Sequence, residues 1–219
     1  MPKLVDVRKS VMAADEEHAS FIRNLMRQKG ILMINMIGSP GSGKTTLLEK
    51  LLPKLDLRCA VIEGDVATSR DAERIAATGT PVVQINTQGG CHLEAHLVRK
   101  ALREIPIDDI DVLFVENVGN LVCPAEFDLG ESFKLAISSV PEGDDKPLKY
   151  PSLFHKAKAV LLTKVDVLPF IKFDKSAFWN DVEKLNPKAA RFELAVLEGK
   201  GLDELSCSIK TWLSEVRGN

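Results

Sequence analysis

The feature that most constrains the fold is a glycine-rich stretch between a strand-like segment and a helix-like segment. Residues 38–45 read GSPGSGKT, which fits the phosphate-binding pattern G-x-x-x-x-G-K-S/T. The buried-strand run GILMINMI precedes this stretch, and TTLLEKLLPKL, which has the apolar spacing of a helix, follows it. Glycines let backbone N–H groups turn inward around an anion, and the helix start adds the positive end of its dipole. The sequence therefore predicts a phosphate site at this loop.

The loop and two acidic strand ends supply the predicted catalytic residues. Lys44 is expected to reach the β- and γ-phosphates, and the Thr45 hydroxyl is expected to ligate Mg²⁺. Asp65 of EGD and Glu116 of ENVG lie at strand ends, where Mg²⁺ would need oxygen ligands. The backbone amide of Gly119 is expected to sense the γ-phosphate. The other loop residues predicted to bind nucleotide are Gly38, Ser39, Pro40, Gly41, Ser42, Gly43 and Thr46.

Strand-like and helix-like segments alternate along the rest of the chain. Buried apolar runs predict strands at 30–37, 58–65, 81–87, 111–119, 132–140, 157–166 and 191–197. Helical spacing predicts helices at 15–29, 45–55, 69–79, 91–105, 174–185 and 202–217. The stretches predicted as loops include 120–131 and 141–155. This alternation favours an α/β fold, with a mostly parallel sheet covered by helices on both faces and ligands beyond the carboxyl ends of the strands.

Composition argues against several classes of function. The 219 residues are 45% hydrophobic and 27% charged, which is ordinary for a globular domain. Lys and Arg total 29 against 31 for Asp and Glu, so nothing global favours nucleic acid or an anionic membrane. No apolar run approaches the roughly 20 residues that span a bilayer, and the first residues lack the apolar core of a signal peptide. We therefore expect a cytoplasmic protein whose four cysteines are reduced thiols or ligands.

The segment TKVD, residues 163–166, predicts that the base is guanine. The Asp166 carboxylate is expected to accept two N–H bonds from the edge of guanine, which adenine does not offer, while the Lys164 stem covers the base face. The segment is similar to the N-K-x-D guanine motif of GTPases, with Thr163 in place of asparagine. A threonine hydroxyl is expected to brace the phosphate loop only in part. The alternative is an ordinary charged turn after a strand.

Two thiols and an imidazole form a candidate metal site. Cys91 and His92 are adjacent in GGCHLEAHL, and Cys123 lies four residues past Gly119. Both cysteines follow strands at the carboxyl edge of the sheet, so they are expected to approach each other. Two sulfurs and one imidazole suit a tetrahedral Zn²⁺ site or a thiolate-rich Ni²⁺ site. The alternative is that these cysteines are small core residues.

Three further residues are weaker metal candidates or core residues. His96 follows His92 by one helical turn and is either a fourth ligand or an exposed helix histidine. Cys59, on a strand, and Cys207, on a helix, are predicted to be core residues.

In combination these segments resemble those of the hydrogenase nickel-incorporation GTPases, the HypB-type metallochaperones. The likeness runs from about residue 20 to residue 217, and the pairing of QGGCH with ENVGNLVCP is its most specific part. Other segments that carry it are GSPGSGKT, EGDVATSRDAERI, INTQGGCHLEAHLV, ENVGNLVCPAEFDLGE and KPLKYPSLF. The resemblance implies a P-loop NTPase of the SIMIBI type, with an N-terminal helical lead-in at 1–30 and a P-loop GTPase domain at 31–219.

The resemblance also implies an activity, cofactors and partners. Members hydrolyse GTP to GDP with Mg²⁺, dimerise when nucleotide is bound, and help deliver nickel to the hydrogenase large subunit, commonly with a zinc-containing HypA-type partner. It implies that Cys91, His92 and Cys123 bind Ni²⁺ or Zn²⁺ near the dimer interface, and that Lys149 leans toward nucleotide or the partner subunit. The chain departs from the family pattern at Thr163 and lacks any cysteine in residues 1–30.

Three other interpretations remain open at the level of sequence. The related urease-type nickel GTPases use a Cys-Pro-His metal motif, which this chain lacks. A small-molecule kinase would hold ATP in the same loop, and TKVD argues against it. A non-enzymatic metal-binding scaffold would use nucleotide only for assembly, and measured phosphate release distinguishes it from a GTPase.

Overall fold

A seven-stranded parallel sheet forms the centre of the structure. The computed structural model describes residues 7–65 and 69–218, without the side chains of 7–14 and of residue 65. The strands are β1 Leu32–Gly38, β2 Cys59–Asp65, β3 Val82–Asn86, β4 Val112–Glu116, β5 Phe133–Ser139, β6 Ala157–Thr163 and β7 Ala190–Leu194. Their order is β3-β2-β4-β1-β5-β6-β7, and every neighbouring pair is parallel. The predicted α/β fold is confirmed.

Nine α-helices lie within the described residues. They are α1 Val7–Lys29, α2 Lys44–Leu55, α3 Arg70–Ala76, α4 Ala95–Ala101, α5 Cys123–Glu126, α6 Lys146–Lys149, α7 Pro151–Lys156, α8 Lys175–Leu185 and α9 Leu202–Arg217. Short 3₁₀ helices occupy Leu102–Glu104, Val140–Glu142, Val165–Phe170 and Val196–Glu198. No helix in this part of the chain is long and apolar enough to cross a bilayer.

Alternation of side chains along the strands builds two apolar layers. Leu32 and Ile34 of β1 pack toward α2 and α9, in a cluster that includes Leu48 and Trp212. Met33 points to the opposite face, where it packs with side chains of α1 and α4. A third cluster joins β5 and β6 to α7 and α8. Every residue of β1 is buried, which is expected for a central strand of a parallel sheet with both faces covered.

Several predicted elements differ in the structure. The stretches predicted as loops contain short helices: α5 lies in 120–131, α6 lies in 141–155, and α7 begins in 141–155 and ends at Lys156. Pro147 and Pro151 stand in the first turns of α6 and α7, where a missing N–H costs no helix hydrogen bond. The helix predicted from residue 91 begins only at Ala95, and α1 begins before residue 15. Cys207, predicted as a core residue, is exposed on α9, whereas Cys59 is buried as predicted.

Candidate functional site

The phosphate loop connects central strand β1 to helix α2. Gly41 and Gly43 adopt positive φ angles of 75° and 95°, and α2 begins at Lys44. The buried Lys44 ammonium donates to the carbonyl oxygens of Gly38 and Ser39 at 3.3 and 3.4 Å. Burial lowers the pKa of Lys44, although Glu116 favours its charged form. The Lys44 side chain is therefore held inside the loop by two carbonyl oxygens, in a position suited to bind a phosphate.

Two glycines are required by close approach of the backbone. A Cβ on Gly38 would lie 2.7 Å from the carbonyl oxygen of Ile137 on β5. A Cβ on Gly119 would lie 2.7 Å from the Pro40 side chain of the phosphate loop. The loop after β4 thus packs directly on the phosphate loop, which places the Gly119 region beside a cleft of about 490 Å³.

The predicted Mg²⁺ ligands meet at the floor of this cleft. The Thr45 hydroxyl donates a 2.8 Å hydrogen bond to Glu116 Oε1. Glu116 Oε2 is buried and has no hydrogen-bond partner among the described residues. Burial raises the pKa of Glu116 to about 7, against the opposing effects of Lys44 and Thr45. An orphaned carboxylate oxygen beside a hydroxyl is a donor set that fits Mg²⁺. Asp65 ends β2 at the same edge, but its side chain lies outside the described residues.

A second cleft of about 390 Å³ adjoins the phosphate loop and holds the residues predicted to bind the base. Lys164, Asp166 and Leu197 line it, together with Thr46 of α2. Lys164 has a positive φ of 57° and donates to the carbonyl oxygen of Gly41 at 2.7 Å. This arrangement brings the TKVD segment to the phosphate loop, as an extended nucleotide would require.

Arg74 of α3 is a candidate that sequence reasoning missed. Its side chain lines both clefts. One guanidinium nitrogen donates to the Thr46 hydroxyl at 2.9 Å and to Glu49 at 2.7 Å, and another donates to Asp71 at 3.2 Å. The guanidinium is therefore held at the junction of the two clefts. Arg74 lies within EGDVATSRDAERI, one of the segments that carry the family likeness, but no spacing in that segment predicts a role at the clefts, which the fold reveals.

Lys149 stands apart from both clefts. It does not line either of them, and its ammonium pairs with Asp145 at 2.6 Å on the exposed surface of α6. The expected contacts of Lys149, with nucleotide or with a partner subunit, both stay predictions.

Cys91, His92 and Cys123 come together at the carboxyl edge of the sheet. One ligand atom from each lies within 4.8 Å of the others. Cys91 Sγ is 3.4 Å from His92 Nδ1, and His92 Nε2 is buried without a hydrogen-bond partner among the described residues. Burial lowers the pKa of His92, which favours the neutral imidazole that binds metals. The neighbouring Cys123 thiol raises the pKa of Cys91, so a metal ion bound here would displace a proton.

The surroundings hold these three side chains in place. The Asn120 side chain donates to the carbonyl oxygen of Cys91 at 3.0 Å. The Phe127 ring stacks on His92 with 3.8 Å between ring centroids. Asn120 and Phe127 flank α5, which carries Cys123, so their contacts also hold Cys91 and His92 close to Cys123.

A second group of possible ligands lies close by but is accounted for by helix capping. Asp15 accepts hydrogen bonds from the backbone N–H groups of Ala95 and His96, at 3.2 and 3.1 Å, and so caps α4. His96 Nδ1 is 3.1 Å from Glu94 Oε2. His96 thus belongs to this capping group and not to the cluster of two thiols and an imidazole.

The comparisons with known proteins agree with this geometry. A family model described as CobW/HypB/UreG, nucleotide-binding domain, matches residues 32–193. The chain is 46% identical over 204 residues to hydrogenase maturation factor HypB of Escherichia coli K12, covering 92% of this chain and 70% of that protein. It is 44% identical over 218 residues to HypB of Azotobacter chroococcum, covering 99% of this chain and 70% of that protein.

A solved structure gives the same result. HypB from Helicobacter pylori in complex with nickel has a TM-score of 0.89 to this chain at 37% identity, covering 92% of this chain and 96% of that one. A shared P-loop alone would not produce this level of identity or a structural match over 92% of the chain. The chain therefore belongs to the CobW/HypB/UreG family and, within it, to the HypB-type proteins.

Proposed function

We propose that the protein is a GTP-hydrolysing nickel metallochaperone that serves hydrogenase maturation. The observation that carries this proposal is the cluster of Cys91, His92 and Cys123, whose ligand atoms lie within 4.8 Å of one another at the edge that also holds the phosphate loop. Two thiolates and an imidazole suit Ni²⁺ or Zn²⁺. The relatives named as hydrogenase maturation factors, and the nickel complex of the Helicobacter pylori protein, support nickel as the cargo.

Guanine nucleotide is the proposed substrate. Asp166 lines the cleft next to the phosphate loop and offers a carboxylate to the N–H groups of guanine. Lys44 and the loop amides would bind the phosphates, and the guanidinium of Arg74 would meet the nucleotide where its phosphates join the sugar. Mg²⁺ held by Thr45 and Glu116, with Asp65 as a further proposed ligand, would neutralise charge on the β- and γ-phosphates.

We infer that the nucleotide state controls the metal site through the loop that follows β4. Gly119 packs on Pro40 of the phosphate loop, and Cys123 is only four residues further along. A change at the γ-phosphate would therefore displace a metal ligand directly. Nucleotide biases such a change only by its different affinity for the two states, and by linkage nickel changes the affinity for nucleotide by the same factor.

The proposed partners follow from this switch. GTP would favour a homodimer with the metal clusters of the two subunits near the interface, and hydrolysis would release nickel toward the hydrogenase large subunit, assisted by a HypA-type protein. Val122, beside Cys123, is 56% exposed, so a second subunit there would cover apolar surface. Lys149 is proposed to reach that subunit. The cytoplasm is the compartment in which these reduced thiols would function.

Metal titration in defined nucleotide states tests the proposal. The metal-free protein is titrated with Ni²⁺ and with Zn²⁺ in the presence of GDP or a non-hydrolysable GTP analogue, and oligomeric state is followed in the same samples. We expect the affinity or the stoichiometry of metal binding to depend on the nucleotide. Metal affinity and stoichiometry that are the same in both nucleotide states, or the absence of phosphate release from GTP, would contradict the proposal.

A further inference from the structure

The buried side-chain amide of Asn117 contacts the backbone next to His92 and the backbone next to Gly119. Asn117 follows directly after β4 and is 1% exposed. Its side-chain oxygen accepts hydrogen bonds from the backbone N–H of Leu93 at 3.2 Å and from that of Val118 at 3.0 Å. Leu93 is the residue after His92, and Val118 is the residue before Gly119. The same oxygen therefore holds the backbone next to a metal ligand and the backbone next to the proposed γ-phosphate sensor.

A chain of hydrogen bonds fixes the orientation of this amide. Asn117 Nδ2 donates to the side-chain oxygen of Asn35 at 3.1 Å, and Asn35 Nδ2 donates to Glu131 at 3.3 Å. Glu131 also accepts from the backbone N–H of Leu129 at 2.7 Å and from the Lys134 ammonium. Two N–H donors at one end and a carboxylate at the other allow only one orientation of each asparagine, because a reversed amide would oppose like groups.

The far end of the chain returns to the metal cluster. Lys134 donates a second hydrogen bond, of 2.8 Å, to the carbonyl oxygen of Phe127, whose ring stacks on His92. The buried chain thus meets the cluster on two sides, at the backbone after His92 and at the ring beneath its imidazole. Buried hydrogen-bonded groups of this kind have few alternative arrangements, since a broken bond leaves a polar group unpaired away from water.

We propose that Asn117 is a positioning residue that couples the nucleotide state to the metal cluster. Asn35 and Glu131 fix the orientation of its side-chain amide. This inference rests on the proposed function, because it assigns the coupling between nucleotide and metal to one side chain. A shift of residues 118–119 on loss of the γ-phosphate would pull on the Asn117 side chain, and through it on the N–H of Leu93. The Cys91–His92 half of the cluster would then respond together with Cys123.

The test measures the ratio of Ni²⁺ affinities in the two nucleotide states, followed by the nickel–thiolate absorption. Wild type is compared with Asn117→Ala and with Asn117→Asp, which keeps the volume but turns a carboxylate oxygen toward the Asn35 oxygen. Asn186→Ala is the matched control, since Asn186 donates to the carbonyl oxygens of Phe154, His155 and Ala157, away from both clefts. Allosteric factors are typically about 5- to 150-fold.

We expect both Asn117 variants to bind Ni²⁺ and GTP while their affinity ratio falls to within about threefold of one, well below that allosteric range. The Asn186 control is expected to lose thermal stability but to keep the wild-type ratio. A wild-type ratio that persists in either Asn117 variant overturns the role of Asn117 and leaves the proposed function standing. If the wild-type protein itself binds Ni²⁺ equally well in the two nucleotide states, the proposed function is contradicted, and this inference with it.

Discussion

The Thr163 hydroxyl donates a 2.6 Å hydrogen bond to the carbonyl oxygen of Ser42, joining the end of β6 to the phosphate loop. Thr163 is 1% exposed, and its oxygen also lies 3.3 Å from the carbonyl oxygen of Ser138. The position that holds asparagine in many GTPases is therefore occupied by a shorter side chain that still reaches the loop. The sequence predicted that threonine would support the phosphate loop only in part, and a single short hydrogen bond provides that support.

Thr163→Val removes this bond while preserving the size of the side chain. The Ser42 carbonyl loses its partner in a buried position, so the phosphate loop is less firmly held. We expect the affinities for GTP and GDP to fall by roughly five- to tenfold, which corresponds to about 1–1.4 kcal/mol. Thr211→Val, which removes a hydroxyl that donates to the Cys207 carbonyl on the exposed face of α9, is the control. Unchanged nucleotide affinity in the Thr163 variant would show that the bond does not support the loop.

Asp166→Asn tests the assignment of the base cleft. The carboxylate would accept two N–H bonds from guanine, and bonds to a charged acceptor contribute about 1.5–3 kcal/mol. We expect the preference for GTP over ATP in competition binding to fall by roughly ten- to a hundredfold. Xanthosine triphosphate, which carries a carbonyl in place of the amino group of guanine, should gain affinity. Asp109→Asn, in the exposed loop before β4, should change neither the GTP preference nor the affinity for xanthosine triphosphate. An equal GTP preference in the two variants would refute the assignment.

The sheet is predictable because its central strands are short, mostly apolar runs that are followed by polar residues. Parallel strands bring those ends to one edge, so the amino-acid sequence alone is enough to place Glu116 and Asp166 near the phosphate loop. Helices α6 and α7 are not predictable in this way, because their prolines and charges are also typical of loops. Prolines at the first turn are compatible with both, and only packing of apolar side chains such as Leu153 and Phe154 decides between them.

Tertiary contacts explain why the sequence predicted neither the exposure of Cys207 nor the position of Arg74. The apolar character of Cys207 favours a place in the core, but the buried face of α9 is formed by Leu205, Ile209 and Trp212, which leaves Cys207 outside it. Arg74 reaches Thr46 across 28 residues of sequence, a separation that carries no local pattern. Such contacts depend on how helices pack on the sheet, which motif spacing does not describe.

Cys123→Ala tests the metal cluster. The cluster would lose one of its two sulfurs, and since even residues outside the ligand set typically change metal affinity by about 10- to 100-fold, we expect Ni²⁺ affinity to fall at least tenfold. Nucleotide affinity should stay within about twofold of wild type, a change of under half a kcal/mol. Cys207→Ala removes an exposed thiol elsewhere and should leave Ni²⁺ affinity unchanged. Equal Ni²⁺ affinity in both variants would remove Cys123 from the site.

Asp111 links the start of β4 to two arginines. Its carboxylate accepts from the Arg58 backbone N–H at 3.0 Å, from the Arg58 guanidinium at 3.0 and 3.1 Å, and from Arg217 of α9 at 2.7 Å. The Arg58 hydrogen bonds, together with Arg217, hold the pKa of Asp111 well below its usual range, although partial burial opposes them. The folded state therefore binds this proton more weakly than the unfolded state does.

The sign of the pH dependence follows from that difference. Because the folded pKa of Asp111 lies below its unfolded value of about 3.9, the stabilisation is complete well above pH 3.9 and is lost progressively as the pH falls from there through the lower folded pKa. At pH 7 we expect Asp111→Asn to lower the free energy of unfolding by about 1–3 kcal/mol, since it weakens bonds to a charged acceptor whose side chain is 11% exposed. In denaturant titrations the gap between wild type and variant should narrow as the pH falls from 5 to about 3. Asp203→Asn, whose carboxylate is 86% exposed and pairs with Lys54, should show almost no gap at either pH. A gap for Asp111→Asn that is constant across this range would mean that its charge does not stabilise the fold.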